Sequence, residues 1–90
     1  MQSVRKRDGS LAVFNRRNIV RAIAAAGRAS GEFDLPLAEA LSDQVLAKLA
    51  GERCPDVETI QDRVEETLAQ TGHWRTARAY VVYREQHARL

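Results

Sequence analysis

Residues 4–23 read VRKRDGSLAVFNRRNIVRAI, and in this stretch a turn signal leads directly into the start of an amphipathic helix. Asp8 and Gly9 lie between two short runs rich in apolar and β-branched residues, a pattern typical of a β-hairpin. Asn15 is a favoured helix N-cap, and the apolar residues after it recur at helical spacing. The stretch therefore predicts a hairpin followed directly by a helix.

The same stretch concentrates positive charge. Residues 1–21 carry six Lys or Arg against one acid, a balance of +5, whereas the other 69 residues carry eight against eleven, a balance of −3. Arg16 and Arg17 lie in the first helical turn, at the positive end of the helix dipole. With Arg5, Lys6 and Arg7 beside them and nothing nearby to neutralise them, these cations should repel one another unless they share an anion. A phosphate chain fits such a place, and a solvated basic face is the alternative.

Length and composition limit the class of protein. The chain has 90 residues, 44% hydrophobic and 29% charged, which is ordinary for one soluble globular domain covering residues 1–90. No apolar run approaches the ~20 residues needed to cross a bilayer, and the N-terminus lacks the apolar region of a secretory signal. The single cysteine, Cys54, suits a reducing compartment. We therefore expect a cytoplasmic domain without a membrane span.

Four helices are predicted, over residues 15 to about 28, 34 to about 51, 57–70, and 73 to the end. Gly27 and Gly31 are stop signals for the first helix, and Asp34 is the N-cap of the second. Residues 52–57 are a turn that could add a third strand. The predicted inward-facing residues are Leu37, Leu41, Val45 and Leu49, then Val57, Ile60, Val64 and Leu68, and finally Trp74, Ala77, Tyr80, Val81 and Tyr83 or Arg84. The fold class is α+β, mostly α: a four-helix bundle capped by a small two- or three-stranded sheet.

No residue pattern indicates catalysis or a metal site. The acids of the third helix, Glu58, Asp62, Glu65 and Glu66, recur at helical spacing and are interpreted as a solvated outer face rather than an acid–base pair. His73 and His87 are too far apart to form a pair on one helix face. The sequence also lacks a Walker-type glycine-rich loop and a GxSxG motif. We expect a binding domain that performs no chemistry itself.

Three blocks of residues, taken in order, resemble the ATP-cone, an allosteric nucleotide-binding domain at the N-terminus of many ribonucleotide reductases. The blocks are Val4, KRDG at 6–9, Phe14-Asn15, Ile19 and Ala22-Ile23; then Val57-Glu58, Ile60-Gln61-Asp62 and Val64-Glu65; and finally ARAYV at 77–81 with Tyr83-Arg84. The resemblance spans nearly the whole chain. Within the family, the SGEF segment and the last helix are most similar to the anaerobic, glycyl-radical class of ribonucleoside-triphosphate reductase.

The resemblance implies a sensor that binds ATP, which activates, or dATP, which inhibits, with Mg²⁺. It also implies a site beneath the hairpin, the remainder of a reductase catalytic subunit as partner, and nucleotide-dependent oligomerisation in the control of deoxyribonucleotide synthesis for DNA replication. The implied nucleotide-binding residues are Val4 and Arg5 at the base, Lys6 and Arg7 at the phosphates, Asn15 at the ribose or phosphates, Tyr83 and Arg84 closing the site, and also Arg16, Asn18 and Ile19.

The sequence departs from the family pattern at two positions. Many members have an acid near the end of the second strand and a lysine in the first helical turn, where this chain has Ala12 and Asn18. The missing lysine leaves Arg16 or Arg17 as substitutes for its phosphate contact.

Two alternative functions are weighed against the sensor. A nucleic-acid-binding module is suggested by the basic end and a pI near 9.1, but the repressors that share this domain also carry a zinc ribbon with four cysteines. This chain has one cysteine, so nucleic acid is not the expected partner. A structural association domain that ignores nucleotide is the other alternative.

Overall fold

The computed structural model describes residues 3–88, with side chains as far as residue 86. The elements are β1 (Ser3–Arg5), β2 (Leu11–Val13), α1 (Arg16–Ser30), α2 (Leu35–Lys48), α3 (Val57–Gln70) and α4 (Trp74–Ala88). Each helix contacts the next along the chain, and α4 returns to pack against α1. The predicted α+β fold, four helices with a small sheet at one end, is confirmed. The end of the predicted last helix, residues 89 and 90, lies outside the described residues, as does the side chain of His87.

The hairpin forms where Asp8 and Gly9 predicted it. Strands β1 and β2 are antiparallel, with Val4 opposite Ala12. Gly9 has a φ of +87°, a conformation that glycine adopts without steric strain. The Asp8 carboxylate accepts hydrogen bonds from the Ser10 hydroxyl at 2.6 Å and the Ser10 N–H at 2.9 Å, and these bonds lower the pKa of Asp8. The turn therefore holds its own shape through local hydrogen bonds.

The third strand considered for residues 52–57 is reduced to a single bridge. Among the described residues the sheet has two strands. Beside them, Arg5 pairs in parallel with Asp56, and the Arg5 N–H donates to the Pro55 carbonyl at 3.0 Å. This bridge places the start of α3 directly against the hairpin.

Helix α1 begins and ends through local signals. The Asn15 side chain accepts the Arg17 N–H at 2.9 Å, as an N-cap does, and Gly31 ends the helix at a φ of +78°. Gly27 was expected to be a stop signal, and that expectation is wrong. It lies inside α1, where the ring of Phe33 packs against the space that a side chain at position 27 would need.

Helix α2 is capped by Asp34, as predicted, but ends at Lys48 rather than near Gly51. Three of its four predicted inward residues are fully buried, whereas Leu37 is 37% exposed. Ala38 and Ser42 are buried in its place, and the Ser42 hydroxyl donates to the Ala38 carbonyl at 2.7 Å. Small residues at these positions allow α2 to pack closely against its neighbours.

The core lies between the four helices. Its fully buried large side chains include Ile23, Leu41, Val45, Leu49, Val64 and Leu68. Helix α3 has the predicted bounds, and three of its four predicted inward residues, Ile60, Val64 and Leu68, are buried, whereas Val57 is half-buried. On α4 the prediction is wrong for Trp74 and Val81, which are 52% and 43% exposed. The guanidinium of Arg78 instead lies over the Trp74 ring, 4.7 Å from the ring centroid, in a cation–π contact.

The connection between α1 and α2 also fixes the start of α4. The Glu32 carboxylate accepts the Thr76 N–H at 2.9 Å and the Thr76 hydroxyl, and the Ser30 hydroxyl lies 2.8 Å from that of Thr76. The Thr76 hydroxyl lowers the pKa of Glu32. A carboxylate at a helix N-terminus stabilises the helix, because its negative charge lies at the positive end of the helix dipole. None of the four helices, within the described part of the chain, has the length and apolar character needed to span a membrane.

Candidate functional site

An apolar pocket opens where the hairpin meets the helices, with a volume of about 260 Å³. This is close to the lower end of the ~300 to 1,000 Å³ typical of small-molecule sites. The pocket is lined by side chains from β1, β2, α1, α3 and α4: Val4, Val13, Phe14, Asn15, Asn18, Ile19, Ala22, Val57, Ile60, Gln61, Val64, Tyr80 and Tyr83. The hairpin, three of the helices and the turn into α1 therefore build it together.

The polar groups of the apolar pocket are amides and phenols rather than charges. Asn15 and Asn18 come from the start of α1, and Gln61 comes from α3. Tyr80 is buried, and desolvation raises the pKa of its hydroxyl, so the phenol stays neutral. Its ring stacks on that of Tyr83, with centroids 6.1 Å apart and planes 20° apart. Aromatic and aliphatic walls with a few amides suit a flat heteroaromatic ring that both donates and accepts hydrogen bonds.

A second concavity, here called the cationic groove, runs along the hairpin. It is lined by Arg5, Lys6, Arg7, Gly9, Asp56, Val57 and Glu58. Val57 also lines the apolar pocket, so the two concavities meet at that residue. Arg7 joins them as well, since its Nη2 donates to the Gln61 Oε1 at 3.1 Å. A ligand with an apolar ring and an anionic tail could occupy both.

The cations of the hairpin have carboxylate partners within the protein. The Arg7 Nη1 lies 2.7 Å from the Glu58 Oε1, and the Arg5 Nε lies 3.9 Å from the Asp56 Oδ1. The expectation that nothing nearby neutralises this charge is therefore wrong. It was based on sequence neighbours, whereas the neutralising acids come from the start of α3, about 50 residues later.

Arg16 does not join the hairpin cations. Its Nη2 lies 2.8 Å from the Asp43 Oδ1 and donates to the Glu39 carbonyl at 3.2 Å, both on α2. Arg17 is exposed. The first turn of α1 and the hairpin therefore do not gather their cations around one shared anion position, contrary to the expectation from charge.

Arg84 anchors α4 to α3 and lies outside both concavities. Its side chain is only 14% exposed, and it donates at 3.0 Å to Asp62, at 3.0 Å to Glu65 and at 3.3 Å to Glu58. Burial alone would lower the pKa of Arg84, but hydrogen bonds and the charges of Asp62 and Glu65 raise it overall. The interpretation of these α3 acids as a solvated face is confirmed for Glu58 and Asp62, whose side chains are each 53% exposed, but it missed their ion pairs with an arginine from a distant helix. The fourth acid, Glu66, pairs with Lys48 at 3.2 Å and Arg63 at 2.9 Å.

The predicted site residues divide into three groups. Five line the apolar pocket: Val4, Asn15, Asn18, Ile19 and Tyr83. Three line the cationic groove: Arg5, Lys6 and Arg7. Arg16 and Arg84 line neither.

Sequence reasoning did not assign a site role to Val57, Glu58 or Gln61. All three line a concavity, and Val57 lines both. They belong to the second block of residues that resembles the ATP-cone, and that block is the sequence signal from which their site role could have been predicted. Among the described residues, no group of three or more His, Cys, Asp and Glu side chains is placed to hold a metal ion.

Comparisons with known proteins agree with this architecture. The family described as "ATP cone domain" matches residues 2–89. The ribonucleoside-diphosphate reductase subunit alpha of Chlamydia muridarum is 36% identical over 101 residues, covering 98% of this chain and 10% of that protein. The vitamin B12-dependent ribonucleoside-diphosphate reductases of Mycobacterium tuberculosis and Thermoplasma acidophilum are 37% and 36% identical, covering 97% and 96% of this chain. The chain spans 12% of the length of each of those two. The resemblance seen in the sequence is therefore confirmed, and the chain belongs to the ATP-cone family.

Proposed function

We propose that this chain is the regulatory domain of a ribonucleotide reductase, and that it binds ATP as an activator and dATP as an inhibitor. Family membership and the names of the relatives support this function. The observation that carries it is the meeting, at Val57, of an apolar, amide-lined pocket with a groove lined by three cations and two carboxylates. An adenine nucleotide has that same division into a flat ring and an anionic chain.

In the proposed complex the base lies in the apolar pocket. Val4 and Ile19 provide aliphatic contacts, and Tyr83 provides an aromatic face. The amides of Asn18 and Gln61 line the same pocket and can exchange hydrogen bonds with the ring nitrogens of adenine or with the ribose. Asn15 serves the site mainly by fixing the start of α1, since its side-chain oxygen accepts the Arg17 N–H.

The phosphates follow the cationic groove. Lys6 supplies a compact point charge, and Arg7 supplies a planar guanidinium that can hold two phosphate oxygens at once. Arg5 lies at the same groove. Magnesium would arrive bound to the triphosphate. Arg16 and Arg84 act through α2 and α3 rather than by touching the nucleotide, because their ion pairs direct them there.

The reductase chemistry would belong to other parts of the parent protein, since this chain holds one cysteine and no pattern for catalysis. We infer that the parent makes deoxyribonucleotides in the cytoplasm and that bound nucleotide changes how its subunits associate. The relatives named above are diphosphate reductases, two of them vitamin B12-dependent. The anaerobic triphosphate class therefore stays a prediction from the SGEF segment and the last helix.

Calorimetric titration of the 90-residue chain with ATP and dATP, each with Mg²⁺, tests this function. We expect saturable binding of both. Lys6→Ala and Arg7→Ala should each weaken binding by about tenfold, because each removes one charge-assisted hydrogen bond to phosphate. Arg75→Ala is the matched control, since Arg75 is an exposed cation in the first turn of α4. Absence of binding to the wild-type chain, or equal losses in all three variants, would refute the proposal.

The two alternatives predict different measurements. A duplex-binding module should lose orders of magnitude in affinity between low and physiological salt, with no need for nucleotide. A nucleotide-insensitive association domain should keep one oligomer size with and without ATP or dATP, as measured by light scattering.

A further inference from the structure

Glu58 lies between two arginines from different parts of the chain. Its Oε1 is 2.7 Å from the Arg7 Nη1 of the hairpin, and its Oε2 is 3.3 Å from the Arg84 Nη2 of α4. Each carboxylate oxygen therefore serves one guanidinium. Glu58 is the only residue, within the described part of the chain, that has an ion pair with both the hairpin and α4.

Arg7 already uses both of its terminal nitrogens. Nη1 contacts the Glu58 carboxylate, and Nη2 donates to the Gln61 side chain at 3.1 Å. A carboxylate and a phosphate present similar oxygens to a guanidinium and compete for the same donors. A phosphate can therefore take the Nη1 donor that Glu58 holds only by displacing that carboxylate.

Release from Arg7 would not leave Glu58 without a partner. The Arg84 guanidinium is held at 3.0 Å by Asp62 and by Glu65, so it stays in place as a donor to the displaced carboxylate. The pairs differ in exposure: the Arg7 side chain is 41% exposed and that of Arg84 only 14%. Less solvent screening favours the pair with Arg84 once an anion occupies Arg7.

We propose that Glu58 is an internal competitor for nucleotide phosphate on Arg7, and that its displacement toward Arg84 links phosphate binding to α4. The inference rests on the proposed function, since it concerns the regulation of the same site. Glu58 is a positioning residue in this scheme. It determines whether the Arg7 guanidinium is available to phosphate. The ion pair between Glu58 and Arg84 changes when phosphate binds, although Arg84 does not contact the nucleotide.

Removing the competitor should tighten binding. Glu58→Gln keeps the side-chain length but not the charge, and we expect ATP with Mg²⁺ to bind about two- to fivefold more tightly, the range given by a solvent-exposed ion pair. Glu85→Gln is the matched control, since Glu85 is an exposed acid on α4 with no ion pair among the described residues. Thermal unfolding of each variant verifies that it is folded.

A double-mutant cycle separates competition from simple charge repulsion. In an Arg7→Ala background, Glu58→Gln should no longer tighten ATP binding beyond the effect of Glu85→Gln, because the shared guanidinium is gone. If the full tightening persists in that background, Glu58 acts by its charge alone and the competition is refuted. The competition is also refuted if the wild-type chain binds ATP and Glu58→Gln binds it with the same affinity.

The link to α4 has its own readout in the side-chain Nε–H resonance of Arg84. ATP should shift this signal in the wild-type chain and leave it unmoved in Glu58→Gln, although that variant binds ATP. An equal shift in both proteins would overturn the link. If the wild-type chain binds no ATP, the proposed function fails and this inference with it, whereas wild-type binding with an unchanged Glu58→Gln affinity overturns only the inference.

Discussion

Gly27→Ala should destabilise the fold even though it replaces glycine in a helix. A Cβ at position 27 would lie 2.6 Å from the Cδ1 and 2.9 Å from the Cζ of the Phe33 ring, closer than real side chains approach. Phe33 cannot yield freely, because its ring packs against the core and meets His73 edge-on at 5.1 Å. Overpacking of this kind costs ~1–3 kcal/mol, against a gain of ~0.5–1 kcal/mol from replacing glycine by alanine in a helix. We expect a net loss of about 1 kcal/mol.

Urea unfolding of four chains measures this balance: wild type, Gly27→Ala, Phe33→Ala and the double variant. In the Phe33→Ala background the ring is absent, so the sign should reverse and Gly27→Ala should stabilise by ~0.5–1 kcal/mol. The difference between the two backgrounds isolates the contact between position 27 and the ring. If Gly27→Ala has the same effect in both backgrounds, the proposed close packing of Phe33 on α1 is wrong.

Two further predictions concern the core and the cap of α4. Ile23→Ala should lower the free energy of unfolding by ~2–5 kcal/mol because Ile23 is fully buried, while the exposed Leu37→Ala changes it far less; chemical denaturation compares them. The hydrogen bond from the Thr76 hydroxyl lowers the pKa of the Glu32 carboxylate below its ordinary value of 4.5. The charged carboxylate therefore stabilises the folded protein fully above pH 4.5, and this stabilisation is lost as the pH falls through the lowered pKa. The stability difference between wild type and Glu32→Gln should therefore vanish in acid, and a difference that persists there contradicts a charged cap.

Local signals made much of the fold predictable. Asn15 and Asp34 cap their helices with their own side chains, and the bounds of α3 follow from the spacing of its apolar residues. The Asp8-Gly9 turn likewise depends only on neighbours in sequence. Five of the ten predicted site residues line the apolar pocket and three line the cationic groove, and all of these but Tyr83 come from the hairpin and the start of α1, which are adjacent in sequence.

The errors concern contacts that the chain brings together from far apart. Arg16 pairs with Asp43, 27 positions away, and Arg7 contacts Gln61, 54 positions away. Such pairs depend on how helices cross, which the periodicity of one helix does not specify. Charge counted along the sequence therefore overstated the repulsion between cations, since the neutralising acids lie on α2 and α3.

We propose that one adenine nucleotide occupies both the apolar pocket and the cationic groove. Backbone NMR titrations with ATP, adenosine and inorganic triphosphate test this arrangement. We expect adenosine to shift the amide signals of Asn18 and Gln61, triphosphate to shift those of Lys6 and Gly9, and ATP to shift both sets. If ATP shifts neither set, or shifts the same signals as triphosphate alone, one nucleotide does not span the pocket and the groove.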